Sequence, residues 1–109
     1  MRIGEPEPDL ASLPDPVRAT AYVFDNGEVA WPNDAAEAAI NALADIGRRI
    51  LGLDARTLFA DGGVMEIPVS AWEAAPNESD EEAVESARQE ALSALPFAQS
   101  EGTHVLVTW

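Results

Sequence analysis

The first apolar run with strand character is Thr20-Ala21-Tyr22-Val23-Phe24, β-branched and aromatic enough to predict a strand. Asp25-Asn26-Gly27 is hairpin-turn chemistry, and Glu28-Val29-Ala30-Trp31 alternates as the returning strand. The period then lengthens. Pro32-Asn33-Asp34 predicts a helix start, with Asn33 or Asp34 as N-cap and Glu37 in the first turn, where the helix dipole favours negative charge. Ala36, Ile40, Leu43, Gly47 and Ile50 then form one apolar stripe. Arg48 and Arg49 fall in the expected last turn, and the helix is expected to end near Leu51-Gly52.

Residues 53–59 and 64–68 flank Asp61-Gly62-Gly63 and predict a second hairpin, ending where Pro68 withdraws a ladder donor. Ser79-Asp80-Glu81-Glu82 has the spacing of a capping box, in which Ser and Glu satisfy each other's exposed backbone N–H groups. The helix it opens carries Ala83, Val84, Ala87, Ala91 and Leu95 on one side, and Pro96 is expected to stop it. Residues 103–109 are β-branched and apolar and predict a last, central strand.

The order β-β-α-β-β-α-β predicts an α+β two-layer sandwich: a five-stranded, mostly antiparallel sheet with two helices on one face and the other face open. Residues 1–16 hold four of the eight prolines among several acids and read as an extended arm, leaving residues 17–109 as a single domain.

Charge sharpens this picture. Twenty Asp and Glu stand against six Arg and no Lys, a formal charge of −14 in 109 residues. A surface so negative repels nucleic acid and anionic membranes and attracts a basic protein. Background acidity explains the same number without any function. No apolar run is long enough to span a membrane and the first ten residues lack a signal-peptide core, so a cytoplasmic protein is expected. Without Cys, neither a disulfide scaffold nor a thiolate nucleophile exists.

Candidate chemistry is sparse. His104 is the single imidazole, so no His pair or Cys/His metal set can form, and it reads as a surface strand residue on the face opposite Val105, Val107 and Trp109. Asp54 and Glu66 can sit on neighbouring strands as an acid and nucleophile, but among twenty acids such pairing has little specificity. Asp61-Gly62-Gly63 offers too few oxygens for a calcium loop, and no cofactor is expected. The acids at positions 78–85 cap and solvate a helix start, though they can also face a basic cleft. Of the tryptophans, Trp72 reads as the better interface anchor.

Ile50-Leu51-Gly52 with Asp54, following the helix, and Ser70 with Trp72 further on resemble the immunity protein 40 family of bacterial polymorphic-toxin systems. Leu53 stands where that pattern has a second glycine, Arg56 where an aromatic is usual, and Ala71 separates Ser70 from Trp72. The resemblance implies a small cytoplasmic antidote that blocks a cognate toxin and catalyses nothing. For such a binding protein, recognition is expected at Asp54, Glu66, Trp72 and Glu73, around the second hairpin and its exit. Two other readings stand beside it. One is a small acidic enzyme or ligand-binding domain using a carboxylate pair on the open face. The other is a homodimer or assembly subunit joined through that face or an edge strand.

Overall fold

The computed structural model describes residues 7–71 and 79–109. Five strands, β1 (Tyr22–Val23), β2 (Val29–Pro32), β3 (Gly52–Leu58), β4 (Val64–Ala71) and β5 (His104–Thr108), form one sheet in the order β1-β2-β5-β3-β4. Every neighbouring pair is antiparallel. The expected α+β class and both hairpins are present, and the last strand is the central one.

Cross-strand partners share a face of the sheet. Val29, Val107 and Leu53 form one such row, and Trp31, Val105 and Ala55 the next. Most of these residues belong to the core, together with the buried sides of four helices, α1 (Glu7–Ala11), α2 (Asp15–Thr20), α3 (Ala36–Asp45) and α4 (Asp80–Glu101). Among the described residues, the helices therefore all pack on this one face.

The expected extended arm is overturned for residues 7–16. Leu10 on α1, Leu13 in the connection and Val17 on α2, spaced three and four apart, belong to the core. Pro14 and Pro16 stand at the cap and first turn of α2, where a missing N–H breaks no helical hydrogen bond. Asp9 fastens the segment: its carboxylate is buried and accepts from Trp109 Nε1 at 2.7 Å and Arg48 Nε at 2.8 Å. Trp31 Nε1 donates to the Val17 carbonyl at 2.9 Å, so both tryptophans hold the N-terminal helices through their indole N–H.

Helix α3 ends at Asp45 rather than near Leu51. Gly47 takes φ +82°, and the Arg48 N–H bonds back to the Leu43 carbonyl at 2.9 Å, a left-handed exit that only glycine adopts easily. Arg48 therefore lies beyond the helix and pairs with Asp9. Neither Asn33 nor Asp34 caps α3, which is entered through a 3₁₀ turn over Asn33–Ala35. The Asn33 amide instead donates to the carbonyls of Gln99 and Gly102, tying the start of one helical segment to the end of another.

Helix α4 opens on the expected capping box, with Glu82 N–H donating to Ser79 Oγ at 3.2 Å and Ser79 N–H to Glu82 Oε1 at 3.0 Å. Pro96 does not stop it; the helix runs through to Glu101. Pro96 is exposed, whereas Leu95 and Ala98 on either side are buried, so packing of the flanking turns outweighs the absent donor.

Pro68 does not end its ladder either, because β3 and β4 stay paired as far as Gly52 and Ala71. Phe59 N–H bonds to the Gly63 carbonyl, and Thr103 N–H bonds to the Arg56 carbonyl. Counting along the strands from these bonds, the peptide groups of Arg56 and Asp54 turn toward β5, and Pro68, opposite Asp54, has its nitrogen at the outer edge of β4. An edge proline is a common device against strand addition.

Candidate functional site

The face away from the helices is built from the alternate residues. Tyr22, Ala30, Leu106, Asp54 and Pro68 lie in one cross-strand row, and Pro32, His104, Arg56 and Glu66 in the next. At its centre lies Arg56, only 6% exposed although no described helix covers it. Its side chain leaves β3 and crosses β5 to reach the start of β2. There Nη2 donates to Glu28 Oε1 at 3.2 Å, while the same nitrogen donates to Glu66 Oε2 at 2.9 Å on the other side. The Phe24 ring lies 5.0 Å from the guanidinium carbon, a cation–π contact. Leu106 faces the same helix-free side and is fully shielded. The Arg56 Nε is buried with no hydrogen-bond partner.

Three carboxylates surround this one guanidinium. Glu28 is oriented by Asn26, whose Nδ2 donates to Oε1 at 2.8 Å while Asn26 Oδ1 accepts from the Glu28 N–H. The Asn26 hydrogen bond and Arg56 hold the Glu28 carboxyl below the usual range, against a smaller opposing effect of burial. Asp54 behaves in the opposite way. Burial raises its pKa first, and the nearby Glu66 charge and a hydrogen bond with Glu66 raise it further, against a backbone hydrogen bond from Val69. Val69 is the residue skipped where the pairing shifts from Asp54↔Pro68 to Leu53↔Ser70, which leaves its N–H for the Asp54 carboxylate.

Aromatic groups edge the cluster. The Tyr22 and Phe24 rings lie 4.8 Å apart, and Tyr22 meets the His104 imidazole edge-on at 6.4 Å. Tyr22 is about half exposed. His104 Nδ1 lies 2.8 Å from Thr103 Oγ1, and burial lowers its pKa, keeping the ring neutral near pH 7. It therefore sits on the helix-free face, as the alternation of β5 implied.

Of the expected partner-binding residues, Asp54 and Glu66 are brought together on this face, while Trp72 and Glu73 lie outside the described residues. Sequence reasoning missed Glu28, Arg56, Tyr22 and Phe24. Arg56 opposite Glu66 follows from the hairpin register once the turn is placed, but its link to Glu28 depends on β5 lying between two hairpins distant in sequence. Gly52, near which the sequence predicts the helix end, has no positive φ and opens β3; a Cβ there would meet the Ser70 carbonyl oxygen at 2.7 Å, so close strand approach requires it.

A cavity of about 140 Å³ adjoins the cluster where β2 and β5 meet the β1–β2 turn, lined by Asn26, Glu28, Leu106, Thr108 and Trp109 among others. Among the described residues no group of acids or His is arranged to hold a metal ion, and no helix is long and apolar enough to cross a membrane. The arrangement can bind positive charge and present aromatic surface. Compared with known proteins, the chain matches no family model, no curated protein and no solved structure.

Proposed function

We propose that this chain is a non-catalytic immunity protein that binds and blocks a basic toxin domain in the cytoplasm through the helix-free face of its sheet. The observation that carries the reading is the centre of that face: three carboxylates around one guanidinium, flanked by the half-exposed Tyr22. A surplus of negative charge with an aromatic edge suits a cationic protein surface, since complementary charge speeds encounter and buried aromatics supply affinity. The overall charge of −14 adds long-range steering in the same direction. The resemblance of the segment around Ile50-Leu51-Gly52 and Asp54 to the immunity protein 40 family supports the same conclusion.

The test is co-expression with the toxin domain encoded beside the gene. Growth should be restored, the two proteins should co-purify as a complex, and association should slow steeply with added salt. Toxicity that persists despite a soluble, folded chain overturns the proposal.

The contact between Asp54 and Glu66 favours a second reading, an enzyme using this carboxylate pair, because close acids with opposed environments divide acid and base roles. Against it, Glu66 is already engaged in an ion pair with Arg56. Measurable turnover abolished by Asp54→Asn would support this second reading over the first.

A further inference from the structure

The cavity beside the β1–β2 turn has apolar walls and one anionic corner. Leu106, Val29, Val107 and Trp109 supply apolar surface, and Glu28, Leu106 and Thr108 belong to the helix-free face by register. Glu28 enters with its carboxylate already fixed. Oε1 takes both the Asn26 amide and Arg56 Nη2, while Oε2 takes no hydrogen bond among the described residues. Asn26 Oδ1 closes the turn onto the Glu28 N–H, so neither chain nor side chain has to be ordered when a ligand arrives. An apolar slot ending at an ionised, pre-positioned oxygen matches one kind of side chain, an aliphatic stem with a cationic tip.

We infer that this cavity receives a lysine or arginine side chain projected by a basic protein partner, with the stem along the apolar lining and the cation on Glu28 Oε2. The inference rests on the proposed function and locates one contact within that interface. Arg56 already demonstrates the chemistry from inside the fold, since a guanidinium of this chain crosses the same face to the other oxygen of the same carboxylate.

The experiment titrates the full chain with the blocked peptide acetyl-Gly-Arg-Gly-amide and its Lys counterpart, reading ¹H–¹⁵N NMR shifts. Saturable shifts are expected at Gly27, Glu28, Leu106, Thr108 and the Trp109 indole. Affinity should fall on the order of tenfold or more when the cationic residue is replaced by norleucine or citrulline, as loss of a charge-assisted hydrogen bond requires. Glu28→Gln keeps an acceptor for Arg56 and preserves the fold, and it should remove the saturable shifts. Glu28→Asp retains the charge but retracts it, and should weaken binding by a similar factor.

Shifts that never saturate, that centre on the acidic start of α4, or that survive Glu28→Gln overturn the inference. So does free arginine or putrescine binding as tightly as the peptides, which makes the cavity a small-amine site. If the toxin domain binds with salt-dependent affinity unchanged by Glu28→Gln, this contact is wrong while the proposed function stands. If no basic domain binds at all, both fail.

Discussion

Arg56 shows how a single side chain can organise one face of a sheet. It pairs with both Glu28 and Glu66 and lies against Phe24, all on a face without a described helix. Arg56→Met keeps the length of the side chain but leaves Glu28 and Glu66 without their shared donor. A loss of about 1–3 kcal/mol is expected, since hydrogen bonds to charged groups contribute about that much and both acids are partly solvated. It should read as a lower urea midpoint at constant slope. Asp54 gives a pH signature. Because its pKa is raised in the folded state, first by burial and then by Glu66, the folded chain holds this proton to higher pH than the unfolded chain. That contribution is fully present below the ordinary Asp value, about pH 4, and is lost as pH rises through the raised one. Asp54→Asn retains an acceptor for Val69 and offers an N–H to Glu66, so it should be more stable than the parent at pH 7, with the advantage vanishing at acid pH. Denaturation of both proteins at the two pH values checks the sign. The closeness of Asp54 and Glu66 was legible in the alternation of two strands. The roles of Arg56 and Glu28 were not, because their meeting depends on a strand that arrives some fifty residues later in the chain, at His104–Thr108.

Elements were legible where local chemistry dominates. The Asp25-Asn26-Gly27 turn, with Gly27 at φ +88°, and the capping box at Ser79 each appear as their residues imply. They were misread where tertiary packing overrides propensity. Pro96 is the clearest instance, since it removes the N–H that would reach Leu92 yet leaves α4 continuous. Pro96→Ala should therefore stabilise the chain, by at most about 3 kcal/mol, the usual penalty for an interior helix proline; a thermal melt decides it. The prolines before residue 17 misled in the same way, because Leu10, Leu13 and Val17 recruit the segment to the core in spite of them. Glycine at the β5 entrance has the opposite sensitivity. A Cβ on Gly102 would come within 2.6 Å of the Arg56 carbonyl oxygen and 3.1 Å of its nitrogen, both backbone atoms. Gly102→Ala must push β5 from β3 and should cost about 1–3 kcal/mol, as overpacking does. The same shift would move Arg56, so the variant should also disturb the Phe24 and Tyr22 ring signals in NMR.

At the scale of the molecule, Asp9 ties the first helices to Arg48 after α3 and to Trp109 after β5. Asp9→Asn keeps an acceptor but loses the charge opposite Arg48. The α1–α2 segment should then open more often, seen as faster amide exchange and earlier proteolysis before Val17 at nearly unchanged β5 protection. The sheet order carries a further consequence for how the chain is made. Two hairpins, β1–β2 and β3–β4, have no edge in common until His104–Thr108 slides between them. The keystone thus leaves the ribosome only after both hairpins have done so. Until it emerges, the nascent polypeptide holds two separate ribbons and an unroofed α4, and acquisition of structure during synthesis should be a single late event.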